Sequence, residues 1–144
     1  MALEVIGQLF LAIILGGIIG LERKYKGKEA GLQTYSLVCL GSCLFTVLSA
    51  VLFLDFSQIQ GISFDPSRVI QAIAIGMGFI GAGVIFQGNE KIRGITTAAG
   101  LWVTAAIGIA VGIKSYSLAV AATIGVLIVL LIFGEIERKF LKQN

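Results

Sequence analysis

Charged residues in this chain gather at the breaks between five uncharged runs: Val5–Leu21, Ala30–Leu54, Val69–Asn89, Gly94–Ile113 and Ser115–Gly134. Each run is long enough to cross the roughly 30 Å of bilayer hydrocarbon as a helix. A water-soluble domain of 144 residues has too little interior to hide that much apolar surface. The pattern therefore predicts an all-α membrane protein, a polytopic bundle of five transmembrane helices. The spans are expected at about 4–21, 32–54, 67–87, 95–113 and 116–134, within a single transmembrane domain covering 1–144.

Composition agrees. The chain is 57% hydrophobic and 13% charged, with a mean hydropathy of +0.98, against about 25% charged residues in soluble domains. The net charge of +3 comes from loop residues and does not point to nucleic acid. The first run lacks the preceding Lys or Arg and the small-residue site of a cleaved signal peptide, so it is read as a span. Cys39 and Cys43 lie one helical turn apart in the second run, where buried thiols behave as small hydrophobes.

Orientation follows from the basic residues. Arg23, Lys24, Lys26, Lys28, Lys91, Arg93, Arg138, Lys139 and Lys142 fall on one side, and only Arg68 and Lys114 on the other, nine against two. The reading is an N-terminus outside and a C-terminus in the cytoplasm. In the second connection, Asp65 is placed to cap a helix with Pro66 at its first position. The short link at Lys114-Ser115-Tyr116-Ser117 predicts a tight hairpin of the last two spans.

Nineteen glycines, most of them inside spans, allow helix backbones to approach closely. Gly16 and Gly20 form one GxxxG pair, Gly108 and Gly112 another, and Ser117, Ala121 and Gly125 make a small stripe on the fifth span. Gly76, Gly78, Gly81 and Gly83 are dense enough for two readings: tight packing, or a helix broken at membrane depth beside protein or water. A faint parallel repeat relates Gly17–Gly20 with Gly31–Thr34 to Gly78–Gly81 with Gly94–Thr97. In each half a basic loop precedes a helix start, where Thr96 and Thr97 can either cap the helix or help hold an anion.

Ionisable groups sit at span ends. Glu22 and Arg23 follow the first span, and Arg68 opens the third with Gln71 one turn deeper. Snorkelling and pairing inside the bundle are both open to the arginines; Glu22 is short and is expected to pair with a nearby basic residue. Asp55 and Asp65 can attract Mg²⁺, which needs only one or two carboxylates, although capping is the ordinary role of Asp65. No nucleotide loop, histidine or carboxylate cluster suggests an enzyme, and no cofactor is expected. The absence of charge at span centres also speaks against a pump or proton relay.

Gly17-Ile18-Ile19-Gly20-Leu21-Glu22-Arg23, Ala30-Gly31-Leu32-Gln33-Thr34, Asp65-Pro66-Ser67-Arg68, Gly76–Gly83 and Arg93-Gly94-Ile95-Thr96-Thr97-Ala98-Ala99 occur in the order found in the MgtC/SapB family of bacterial membrane proteins, which the chain resembles over nearly its whole length. The resemblance implies a bacterial inner-membrane protein linked to magnesium or general ion homeostasis, acting on other membrane proteins rather than moving magnesium itself. It assigns the matching positions Glu22, Arg23, Arg68, Gly78, Gly81, Gly83, Thr96 and Thr97 to that role. Longer members carry a C-terminal cytosolic domain that this short sequence lacks, and Gln33 stands where the family usually has Arg. A homo-oligomer, most simply a dimer, is expected. The alternative is a small homo-oligomeric Mg²⁺ transporter or channel with its site at the Gly-rich third helix.

Overall fold

A computed structural model of the chain describes residues 2–56, 65–88 and 91–140. The elements are α1 (Ala2–Tyr25), α2 (Leu32–Phe56), α3 (Pro66–Val84), β1 (Phe86–Gly88), β2 (Lys91–Arg93), α4 (Ile95–Gly112), α5 (Tyr116–Ile128), a π-helical turn (Val129–Phe133) and α6 (Gly134–Phe140), the last three running as one rod. Five of these helical segments are long and apolar enough to cross a membrane, the fifth being Tyr116–Glu137.

Helix ends are set locally. α1 closes in a Schellman arrangement: Lys28 N donates to Arg23 O at 3.0 Å and Gly27 N to Lys24 O at 3.0 Å, with Gly27 at φ 63°. α4 closes in the same way through Ser115 N to Ala110 O at 2.9 Å, but the left-handed position there is Lys114, φ 64°. A side chain in that conformation costs roughly 1–2 kcal/mol, the strain of so short a link to α5. Asp65 caps α3, its Oδ1 accepting from Ser67 N at 2.9 Å, with Pro66 in the first turn.

Two expectations are corrected. The third span stops at Val84 instead of reaching residue 87, because Phe86–Gly88 pairs antiparallel with Lys91–Arg93 and so satisfies its backbone groups outside a helix. The possible break at Gly76–Gly83 is also absent: α3 runs through it without interruption. The irregular backbone lies instead in the fifth span, at the π turn.

Packing centres on α2. A methyl at Gly16 of α1 would lie 2.6 Å from the Tyr35 carbonyl and one at Gly20 2.8 Å from the Gly31 carbonyl, so α1 is pressed onto α2 along its GxxxG face. Gly108 and Gly112 of α4 press onto α2 from another side, against Cys39, Ser42, Cys43 and Thr46. α1 therefore lies antiparallel to α2, and α4 parallel to it. Cys39 and Cys43 are free, fully buried and part of this apolar core with Ile19, Tyr35 and Leu101. α4 is the most enclosed span, 61% of its residues buried, and α3 the least, at 11%. α3 rests on α4, Gly81 against Ala98, while Gly76, Gly78 and Gly83 face open space.

Candidate functional site

At the α1–α2 turn the chain gathers its buried charges. Arg23 is 3% exposed and grips Glu22, Nη2 donating to Oε1 at 2.9 Å with Nε on the other oxygen. Lys26, one turn further, reaches Glu22 Oε1 at 3.2 Å. Its ammonium also donates to the Leu130 carbonyl at 3.0 Å, inside the π turn of the fifth span. The π turn changes the i→i−4 pattern of its carbonyls, and Lys26, just past the end of α1, binds one of them.

The same end is tied across to α4. Tyr35 is fully buried on α2, and its hydroxyl donates to the Thr97 carbonyl at 3.2 Å. Gly100 gives the phenol room, since a methyl there would lie 2.6 Å from the hydroxyl. Thr97 is buried and its own hydroxyl donates to Glu29 at 3.4 Å, whereas Thr96 is exposed. Glu22, Arg23 and Thr97 thus share one end of the bundle, where contacts join α1, α2, α4 and the fifth span. Two cations face one anion in Glu22, Arg23 and Lys26, a net of +1.

Arg68 and Asp65 belong to the opposite end. Arg68 is 84% exposed, and its Nε lies 4.0 Å from the Asp65 carboxylate. Ser67 hydrogen bonds hold the Asp65 carboxyl below its ordinary range. Gln71 is exposed on α3. Lys114 pairs with Glu4 at 2.7 Å, and that hydrogen bond raises the Lys114 pKa. Among the described residues no group of three His, Cys, Asp or Glu is placed to hold a metal ion; the Asp55 side chain, the 57–64 connection and Glu90 lie outside them.

The sequence reading passed over three residues that this geometry brings forward. Gln8, 2% exposed, donates to the Val111 and Gly112 carbonyls at 2.9 and 3.0 Å, satisfying the end of α4. A lone amide in an apolar run was the available signal. Tyr35 carried no local signal, because its partner lies 62 positions away; the Glu22 pairing of Lys26 is local, but its bond to Leu130 spans 104 positions.

Comparison with known proteins places the chain among bacterial membrane proteins. The family model described as MgtC family matches residues 9–139. The chain is 42% identical over 144 residues to a protein named "Putative magnesium transporter YhiD" from Escherichia coli (strain K12), covering all of this chain and 67% of that one. It is 36% identical to Protein SrpB of Synechococcus elongatus, covering 95% of this chain and 79% of SrpB. It is 41% identical to Protein MgtC of Brucella abortus, covering 82% of this chain and 46% of that protein. The chain thus spans between about half and four fifths of these relatives' lengths. No solved structure matches.

Proposed function

This chain belongs to the MgtC family, and on that premise we propose that it supports magnesium and ion homeostasis from the bacterial inner membrane by binding other membrane proteins and copies of itself, without catalysing a reaction. The observation that carries this reading is the state of the buried and half-buried ions at the α1–α2 turn. Glu22, Arg23 and Lys26 are bound to one another and to the Leu130 carbonyl, so they serve as a tie between helices. Gln8, Thr46, Thr104 and Thr123 likewise each donate to a helix carbonyl. An ion pathway needs polar groups free to exchange partners, and these are engaged. The expected topology, N-terminus outside and C-terminus cytoplasmic, is part of the proposal.

Arg68 gives the direct test, since its exposure means that Arg68→Ala leaves the bundle intact. The variant should reach the membrane at native abundance yet fail to restore growth of a deletion strain at limiting magnesium. The native protein, reconstituted in liposomes, should pass no Mg²⁺ to an entrapped indicator. Full rescue by Arg68→Ala, or protein-dependent Mg²⁺ entry, overturns the reading. Mg²⁺ entry would select the second reading, transport, which the name of the Escherichia coli relative favours.

A further inference from the structure

The fifth span departs from an α-helix at its π turn, and a side chain from the α1–α2 connection fills the departure. The Gly134 amide donates to the Leu131 carbonyl, three residues back. In a regular helix its acceptor is the Leu130 carbonyl, four residues back. The π turn Val129–Phe133 therefore takes the α-helical partner away from Leu130, and the Lys26 ammonium donates to that carbonyl instead, at 3.0 Å. Gly134 keeps the approach open, since a methyl there would already lie 3.7 Å from Lys26 Nζ and a longer side chain would crowd it.

The ammonium and the π turn stabilise each other. A carbonyl without a donor is costly in an apolar span, and a charged donor makes a strong hydrogen bond. Without Lys26, the Leu130 carbonyl recovers a donor when the turn closes to a regular helix and the Gly134 amide returns to it. Of the three charges at this end, Arg23 and Glu22 are closed off at 3% and 9% exposure, whereas Lys26 is 26% exposed. Lys26 is thus the one that can leave without parting the Glu22–Arg23 pair.

Closing the turn has a defined consequence. A π turn absorbs one residue more than the α-helix around it. Its loss advances every following residue by one helical step, about 100° and about 1.5 Å. Each place on α6 is then taken by the preceding residue. Ile136 and Phe140, one turn apart and both exposed, form an apolar stripe there. After the step, Glu135 and Lys139 stand in their places. We propose that Lys26 is the catch of a conformational switch in the fifth span. While its ammonium holds the Leu130 carbonyl, α6 presents Ile136 and Phe140; when the ammonium leaves, the same face presents Glu135 and Lys139.

The test reads distances between spin labels on the full chain in liposomes, diluted with unlabelled copies so that each distance lies within one molecule. One label is attached at Tyr25→Cys, on a side chain 93% exposed. The second is attached at Ile136→Cys or Glu137→Cys, exposed neighbours about 100° apart on α6. Cys39 and Cys43, fully buried, stay unlabelled. At a helix radius of about 5–6 Å the step moves a side chain by about 8 Å, so at least one of the two distances changes by about 5 Å. Lys26→Met should produce that change. Gly134→Leu should produce it too, because it keeps the charge but crowds the ammonium off the carbonyl. Lys24→Met, the same charge loss at an exposed neighbour, should change neither distance.

Deleting Ile132 removes the extra residue of the turn, so α6 should keep its native register, and adding Lys26→Met should then have no further effect. Three results would each overturn the switch: both distances within about 1 Å of native in Lys26→Met and Gly134→Leu, an equal shift in Lys24→Met, or a Lys26→Met shift that survives the deletion. The inference does not depend on the proposed function, and these distances are read independently of growth at limiting magnesium, so the two fail separately.

Discussion

Replacing Gly16 by alanine isolates how much the contact between α1 and α2 resists separation. The new methyl would lie 2.6 Å from the Tyr35 carbonyl oxygen and 2.7 Å from the Cys39 Cβ, both fixed to the α2 backbone. A comfortable C···O approach is about 3.3 Å, so the two helices must part by roughly 0.7 Å along a face that also holds Gly20. Overpacking of this kind costs about 1–3 kcal/mol, while alanine returns about 0.5–1 kcal/mol of helix preference. Gly7, on the same helix, meets nothing within 4 Å and provides the reference. Gly7→Ala gains the same helix preference without the clash, so the difference between the two variants is the packing cost alone, about 1–3 kcal/mol. The assay is reversible unfolding of the purified chain in detergent micelles, followed by the reactivity of the Cys39 thiol, which is fully buried at this contact. Gly16→Ala matching Gly7→Ala to within about 0.5 kcal/mol would refute the close approach.

The two arginines should behave as opposites. Arg23→Leu leaves the Glu22 carboxylate, 9% exposed, with Lys26 as its remaining partner, and should cost about 3 kcal/mol in the same unfolding assay. Arg68→Ala should stay within about 0.5 kcal/mol of the native protein, because its pair with Asp65 is solvated and at 4.0 Å. A further check uses pH. The folded pKa of Asp65 lies below the ordinary 3.8, so its cap stabilises α3 above that value and is lost as pH falls through the lower folded value. Amide exchange at Ser67 should be flat from neutral pH down to about 5, after correction for the intrinsic rate, and accelerate below about 4; Asp65→Ala should remove the step. A step that survives the substitution would assign it to another group.

Much of this architecture was legible along the chain, because the bilayer sets span length and each helix satisfies its own backbone. The five apolar segments and the Asp65–Pro66 start of α3 are decided by residues within a few positions of one another. The end of α3 was misplaced because a strand exists only with a partner, and Phe86–Gly88 found one across the hairpin. Tertiary structure alone separated look-alike residues. Gly16, Gly20, Gly108 and Gly112 lie against another backbone while Gly76, Gly78 and Gly83 face empty space, although all occur in the same kind of apolar run. Arg23 is buried and Arg68 exposed although both border spans, because only Arg23 lies where four helices converge. Local chemistry chose which segments become helices. Which faces meet was settled by shape between residues tens of positions apart, and with hydrocarbon on all sides that fit, not water exclusion, holds them together.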